Sequence, residues 1–329
     1  MSTLTHDESA APRTAAGVLL AVASALTFGL SGSFASALFD TGWTPGTTAL
    51  VRSAVGACVA LPFGLVALRG PGGRLRWGLL RANLGLLAAY GVLAVTGAQF
   101  CYFMAVQRME VGPALLIEYT APAVVVVWLW VRHGQRPGPI TVLGAVLAAA
   151  GLTLVLDLVG GASLDVAGVG WALLAMTGAA TYFVVNADQS RGLPPVTLAA
   201  GGLLFGTAVM ALLALIGVLP MGASTSDVVL AGHQTPWWLP VALLGVVTSG
   251  VAYLTGVAAG RLLGARLGAF IALFEVVAGV GFAWFFVDQL PTVVQILGGL
   301  LILAGVVAVK LGEERVAETP APPVEAGVR

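Results

Sequence analysis

Trp130-Val-Arg-His-Gly-Gln-Arg-Pro137 returns 154 positions later, in altered form, as Trp284-Phe-Phe-Val-Asp-Gln-Leu-Pro291. Sliding the chain on itself by that offset superposes Trp, Gln and Pro within the stretch, then Gly144 on Gly298 and Gly151 on Gly305. Coincident Leu, Ala or Val would mean little in so apolar a chain; Trp, Gln and Pro are scarcer in it, so their agreement marks a duplication.

Outward from this stretch, apolar tracts of spanning length alternate with short breaks rich in Gly, Pro and charge. The chain of 329 residues is 58% hydrophobic and 9% charged, with a mean hydropathy of +0.98, against roughly 25% charged residues in soluble domains. A tract of about 20 apolar residues crosses about 30 Å of hydrocarbon. Ten helices follow, at about 14 to 37, 46 to 68, 78 to 100, 109 to 131, 138 to 157, 166 to 187, 196 to 219, 237 to 259, 265 to 287 and 292 to 311. The polar leader before residue 14 lacks the short apolar core of a signal peptide, so the first tract reads as a retained span.

Cytoplasmic loops of membrane proteins collect Lys and Arg. With the N-terminus inside, thirteen of the fifteen basic residues fall on cytoplasmic segments, only Arg108 falls outside, and Arg52 lies within a span. The outer segments carry Asp40, Glu110, Asp157, Asp165, Asp227 and Asp288. An even number of spans with both termini cytoplasmic satisfies this asymmetry. Each copy of the duplication then holds five spans, and an odd number forces the second copy in with the opposite sense. The expected fold is all-α and integral to the membrane, ten transmembrane helices in two inverted five-helix repeats. Its parts are a cytoplasmic tail over 1–13, repeats over 14–158 and 159–312, and a disordered cytoplasmic tail over 313–329. Inverted repeats recur in secondary transporters because two opposed halves can exchange which side is open around a central site.

The fourth span contains Gly112-Pro-Ala-Leu-Leu-Ile-Glu-Tyr-Thr-Ala-Pro122, and the ninth contains Gly268-Ala-Phe-Ile-Ala-Leu-Phe-Glu-Val276. With the paired five-helix units and the Gly-rich fifth and tenth spans, these segments resemble the EamA-type drug/metabolite transporter superfamily from about residue 14 to 312. The run Ile117-Glu-Tyr-Thr-Ala-Pro122 is similar to the subset that exports amino acids such as threonine and homoserine. The resemblance implies export of an amino acid or similar metabolite across the inner, cytoplasmic membrane, with no cofactor. The chain departs from the family pattern at Gly134-Gln135 and Asp288-Gln289, where Gly-Glu is usual, and at Glu275-Val276, where Glu-Pro is usual.

Three ionisable residues lie deep in these spans: Arg52, Glu118 and Glu275. A charge at a helix centre costs roughly 2.5–3.5 kcal/mol to insert, so each needs a partner or a wet cavity. Glu118 and Glu275 are 157 positions apart, three more than the repeat offset, which sets them within about one turn of equivalent places. Opposed carboxylates suit a substrate ammonium or a proton. Arg52, near the start of its helix, reads first as snorkelling to the headgroups; the other reading pairs it with Glu118 or a substrate carboxylate. Tyr119, Tyr182, Asn186, Tyr253, Gln99 and Tyr102 are candidates to line the path, the last two sharing a helix face. Tyr90 and Tyr102 read equally well as interfacial anchors. Trp43, Trp77, Trp237 and Trp238 read as belt residues. Pro122 should break the fourth helix just after Glu118, and the paired glycines should pack helices closely.

Equal numbers of acidic and basic residues, fifteen each, point to no nucleic-acid partner; the expected partners are a small metabolite, membrane lipid and protons. Cys58 and Cys101 sit singly in apolar tracts, and His6, His133 and His233 in tails or loops, so no metal cluster is read. Gly29-Leu-Ser-Gly32 has the look of an intramembrane serine protease string, yet that chemistry needs a base within reach of the serine. Besides a carrier, the open readings are a facilitated-diffusion channel or a non-transporting membrane protein.

Overall fold

A computed structural model of the chain describes residues 10–70, 72–121, 124, 130–131, 137–155, 165–187, 192–259, 262 and 273–317. The first half holds α1 (Ala10–Phe39), α2 (Pro45–Ala67), a short α3 (Trp77–Ala82), α4 (Leu84–Val106), α5 (Val111–Glu118) and α6 (Pro139–Val155). The second half holds α7 (Val166–Ala187), α8 (Pro195–Leu215), a hairpin of β1 (Val228–Leu230) and β2 (His233–Thr235), α9 (Trp238–Ala259), α10 (Phe274–Val287) and α11 (Val293–Ala317).

Among the described residues, α1, α2, α4, α8 and α9 are long and apolar enough to cross a bilayer, and shorter apolar helices accompany them. Large apolar side chains stand on the outside, Leu300 and Phe285 among them. That surface fits lipid and not water, and the chain is an integral membrane protein. The interior is packed by Phe34 and Leu38 of α1, Phe103 of α4, Ile117 of α5, Met210 of α8 and Leu244 of α9.

Local chemistry sets several boundaries. Thr44 caps α2 by accepting from the Thr47 N–H, and Pro45 occupies the first helical position, where its missing N–H is harmless. Asp165 accepts from the Gly168 N–H at 2.8 Å at the start of α7. That main-chain bond, with Arg108 at 3.4 Å, holds the Asp165 carboxyl below its ordinary range. The third span runs 84 to 106 and not 78 to 100, because a break at Asn83 detaches the one-turn α3; the Asn83 amide turns back to donate to the Leu79 carbonyl at 2.9 Å.

Helices α4 and α9 each contain a π segment, Tyr90–Gly97 and Val246–Val251. Within them the Ala98 N–H donates to the Leu93 carbonyl and the Ala252 N–H to the Val247 carbonyl, the i to i−5 pattern of a widened turn. Both segments end at equivalent positions of the 154-residue repeat, Gly97 and Val251.

Helices α6 and α11 cross antiparallel at the paired glycines. A Cβ on Gly151 would sit 2.5 Å from the Gly298 carbonyl oxygen, and one on Gly144 2.5 Å from that of Gly305. Main chain therefore meets main chain, and no rotamer change can make room. Gly151→Val should force the pair apart and destabilise the fold by at least the roughly 1–3 kcal/mol of ordinary overpacking, read as a lower midpoint in a detergent thermal-shift assay. Gly281→Ala, at a helical position with nothing within 4 Å, is the control and should leave the midpoint unchanged or raised. Helices α2 and α8 are likewise antiparallel neighbours, Gly64 lying against Ala200 and Gly46 against Pro220, with the Thr197 hydroxyl donating to the Gly64 carbonyl at 2.8 Å.

The hairpin turns at Ala231 and Gly232, both with positive φ, as tight hairpins require. It fastens one end of the bundle. The Thr44 N–H donates to the Gly222 carbonyl at 3.0 Å and the Ala231 N–H to the Phe286 carbonyl at 2.9 Å, while the Trp43 indole donates to the Ser224 carbonyl at 2.9 Å. Trp43 is thus buried under the loop and tilted against Trp237, ring centres 6.2 Å apart, a correction to its reading as a belt residue. Trp77 and Trp238 are exposed, as belt residues would be.

Candidate functional site

Helix α5 stops at Glu118, and the chain tightens at once: the Tyr119 N–H still reaches the Leu115 carbonyl at 2.9 Å, but the Thr120 N–H falls back to Ile117 at 3.1 Å. Pro122, where the sequence predicts a helix break, lies outside the described residues. The opposite side is supplied by α10, whose first turn carries Glu275. The Tyr119 hydroxyl donates to Glu275 Oε2 at 2.5 Å, tying the end of α5 to the start of α10 across the two halves of the chain. Glu118, Tyr119 and Glu275 are each half-buried.

Arg52 is 1% exposed, which overturns the snorkelling reading. Its Nε donates to Thr248 Oγ1 at 3.2 Å and its Nη2 to the Thr248 carbonyl at 2.6 Å, so α2 is fastened to the π segment of α9. The carboxyls of Glu275 and Glu118 and the phenols of Tyr253 and Tyr102 surround the guanidinium. It forms no ion pair within 4.0 Å of a carboxylate among the described residues, so direct pairing with Glu118 is not what holds it in place.

The aromatic candidates converge on the same region. Tyr182 stacks on Tyr90 at 5.9 Å and approaches Tyr253 at 6.4 Å, and Tyr253 meets Phe28 edge-on at 5.1 Å. Tyr90 and Tyr102 are buried, which excludes the anchor reading for both. Gln99 donates to the Ser31 hydroxyl at 3.5 Å, and the Tyr102 hydroxyl lies over Gly32. Those contacts account for Gly29-Leu-Ser-Gly32, with Gly29 pressed against Gly279 of α10. Asn186 belongs to α7, but its side chain lies outside the described residues, as does Gly268–Ala272 of the second motif.

Nothing in the sequence marks Thr248 as the partner of Arg52, because a threonine in a span reads as filler. Gln289, which the sequence marks as a repeat position and a departure from the family pattern, accepts from the Val111 N–H at 2.9 Å and donates to Ser36 at 3.4 Å, capping α5 from just past the end of α10. A crevice of about 160 Å³ lies apart from the carboxylates, between α5, α10 and α11, with Glu110, Gln289 and Gln295 at its polar rim. Its apolar wall includes the exposed Val277 and Leu300, so it opens sideways to lipid and is not the gathering point of the candidate residues.

A buried cation, two carboxylates and several phenols thus gather amid apolar helices, and no group of three or more His, Cys, Asp and Glu placed to hold a metal occurs among the described residues. The sequence model of the EamA-like transporter family matches residues 15–157 and again 166–311. The threonine/homoserine exporter RhtA of Salmonella typhimurium, strains SL1344 and LT2, is 30% identical over 300 residues, spanning 87% of this chain and 88% of that protein. A solved crystal structure 22% identical in sequence superposes with a TM-score of 0.59 over 92% of this chain and 99% of that one, and so shares the fold. With two matches that together run from the first helix to the last, the chain belongs to the EamA-like transporter family.

Proposed function

We propose that this transporter is a ten-span carrier of two inverted repeats, 14–158 and 159–312, that exports an amino acid or similar small metabolite across the inner membrane. Both termini, 1–13 and 313–329, are cytoplasmic, and the hairpin end of the bundle faces outward. The observation that carries the reading is the Tyr119–Glu275 hydrogen bond beside the buried Arg52, which joins both halves at a single charged cluster. The 30% identity to an exporter of threonine and homoserine supports the amino-acid class.

The repeat is supported by helix pairs that are equivalent under the 154-residue offset and pack antiparallel. Gly144 meets Gly305, while Gly151 meets Gly298; swapping the two copies maps each contact onto the other, as a twofold axis in the membrane plane requires. The α2–α8 pair and the matched π segments obey the same relation. In the cluster, Glu275 and Tyr119 receive the substrate ammonium and Glu118 carries a proton in exchange, with Gln99, Tyr102, Tyr182, Asn186 and Tyr253 lining the route.

Proteoliposomes loaded with threonine test this. External labelled threonine should enter faster when unlabelled threonine is inside, because a carrier returns loaded. Entry indifferent to internal threonine would favour a channel, and no threonine flux at all would sink the proposal.

A further inference from the structure

Among the described residues Arg52 is the one fully buried charged side chain, and only part of its hydrogen-bonding capacity is used. A guanidinium offers five N–H donors in a planar fork. The Nε–Nη2 edge is taken up by the hydroxyl and carbonyl of Thr248. Nη1 is shut off from solvent and makes no hydrogen bond among the described residues. Buried donors are almost always satisfied, and a cation left partly unpaired in the interior is disfavoured unless an anion joins it. Were Arg52 only a tie between α2 and α9, the Thr248 contacts would complete it, and a neutral donor would serve at lower desolvation cost.

The groups acting on Arg52 give the chemistry of the missing partner. Glu118 and Glu275 lie near enough to act on it electrostatically, yet neither comes within 4.0 Å. Glu275 is already engaged by the Tyr119 hydroxyl. A cation from the first half of the chain and a carboxylate from the second, separated by more than a direct contact, match a ligand with a carboxylate at one end and an ammonium at the other.

Resting on the export reading above, we infer that Arg52 binds the carboxylate of an α-amino-acid substrate through its Nη1–Nη2 edge, opposite Glu275, which takes the ammonium. Thr248 is the positioning residue: its two contacts fix the plane of the fork and leave the other edge for the ligand. Because the guanidinium is sealed between α2 and α9, a carboxylate reaches it only as packed helices shift, which joins substrate binding to the motion a carrier makes.

The test is competition against labelled threonine exchange in proteoliposomes, using threonine, its amino alcohol lacking the carboxylate (2-aminobutane-1,3-diol) and 3-hydroxybutyrate lacking the amine. The wild type should prefer threonine over the amino alcohol by roughly tenfold to a hundredfold, the range of a charge-assisted hydrogen bond. Arg52→Gln should lose that much affinity for threonine and bind the two ligands about equally; Arg52→Lys, which keeps the charge without the fork, should fall between. A wild type that binds the amino alcohol as tightly as threonine overturns the inference even if every Arg52 variant fails to fold. So does a folded Arg52→Gln that retains the wild-type preference. Absence of threonine exchange in the wild type would instead remove the export reading beneath it.

Discussion

Glu275→Gln should leave the protein folded and its threonine exchange close to background. The substitution keeps the shape and an acceptor for the Tyr119 hydroxyl but removes the charge proposed to face the substrate ammonium. Truncating one side of a buried charge pair costs about 2–5 kcal/mol, which is roughly a 30- to several-thousand-fold loss of affinity. Tyr119→Phe should be milder, about tenfold, since it removes one hydrogen bond to a charged group. Scintillation-proximity binding on purified protein measures both without dependence on flux, and an unchanged threonine affinity in Glu275→Gln would dismiss Glu275 as the ammonium site.

Glu118→Gln should separate exchange from energy coupling. Gln copies the protonated carboxyl and cannot release a proton, so the variant should behave at every pH as the wild type behaves when acid. Uphill threonine movement driven by a pH gradient should vanish, while threonine–threonine exchange, which needs no net proton transfer, should persist. The groups around this carboxyl are Arg52 on α2, Cys101 and Tyr102 on α4, Tyr119 just past the end of α5, Tyr253 on α9 and Glu275 on α10. Of these Glu275 is the other carboxylate, so a double Glu118→Gln, Glu275→Gln variant should lose both properties. Gradient-driven transport that survives in Glu118→Gln would assign the proton elsewhere.

The helices were largely legible in the sequence because a bilayer imposes one length on every span, and the charged breaks at Arg69–Arg76, Gln107–Glu110 and Asp288–Pro291 show where each ends. The glycine pairs were legible for a related reason: no other residue permits main chain to touch main chain. What sequence could not convey was adjacency. Tyr119 and Glu275 are 156 residues apart, and only three-dimensional closure of α5 on α10 reveals that one donates to the other. Arg52 misled because its place near the N-terminus of α2 suggested an easy escape to headgroups; the loop bonded over Thr44 and Thr47 closes that route. The π segments have no residue code of their own, since Val, Thr, Ser and Gly there fit an ordinary turn equally well. The hairpin was missed although Ala231-Gly232 between two short β-branched or polar runs was a usable signal.

The meeting of α6 with α11 bears on how the two copies have drifted apart. Where side chains touch, a larger residue in one copy can be accommodated by a smaller one in the other, and duplicated halves diverge by such exchanges. At Gly144, Gly151, Gly298 and Gly305 the obstacle to any new Cβ is a carbonyl or amide of the opposite helix, which no exchange can shrink. These sites are therefore locked in both copies at once, and the ancestry of the chain remains readable there after most of the surrounding letters have changed.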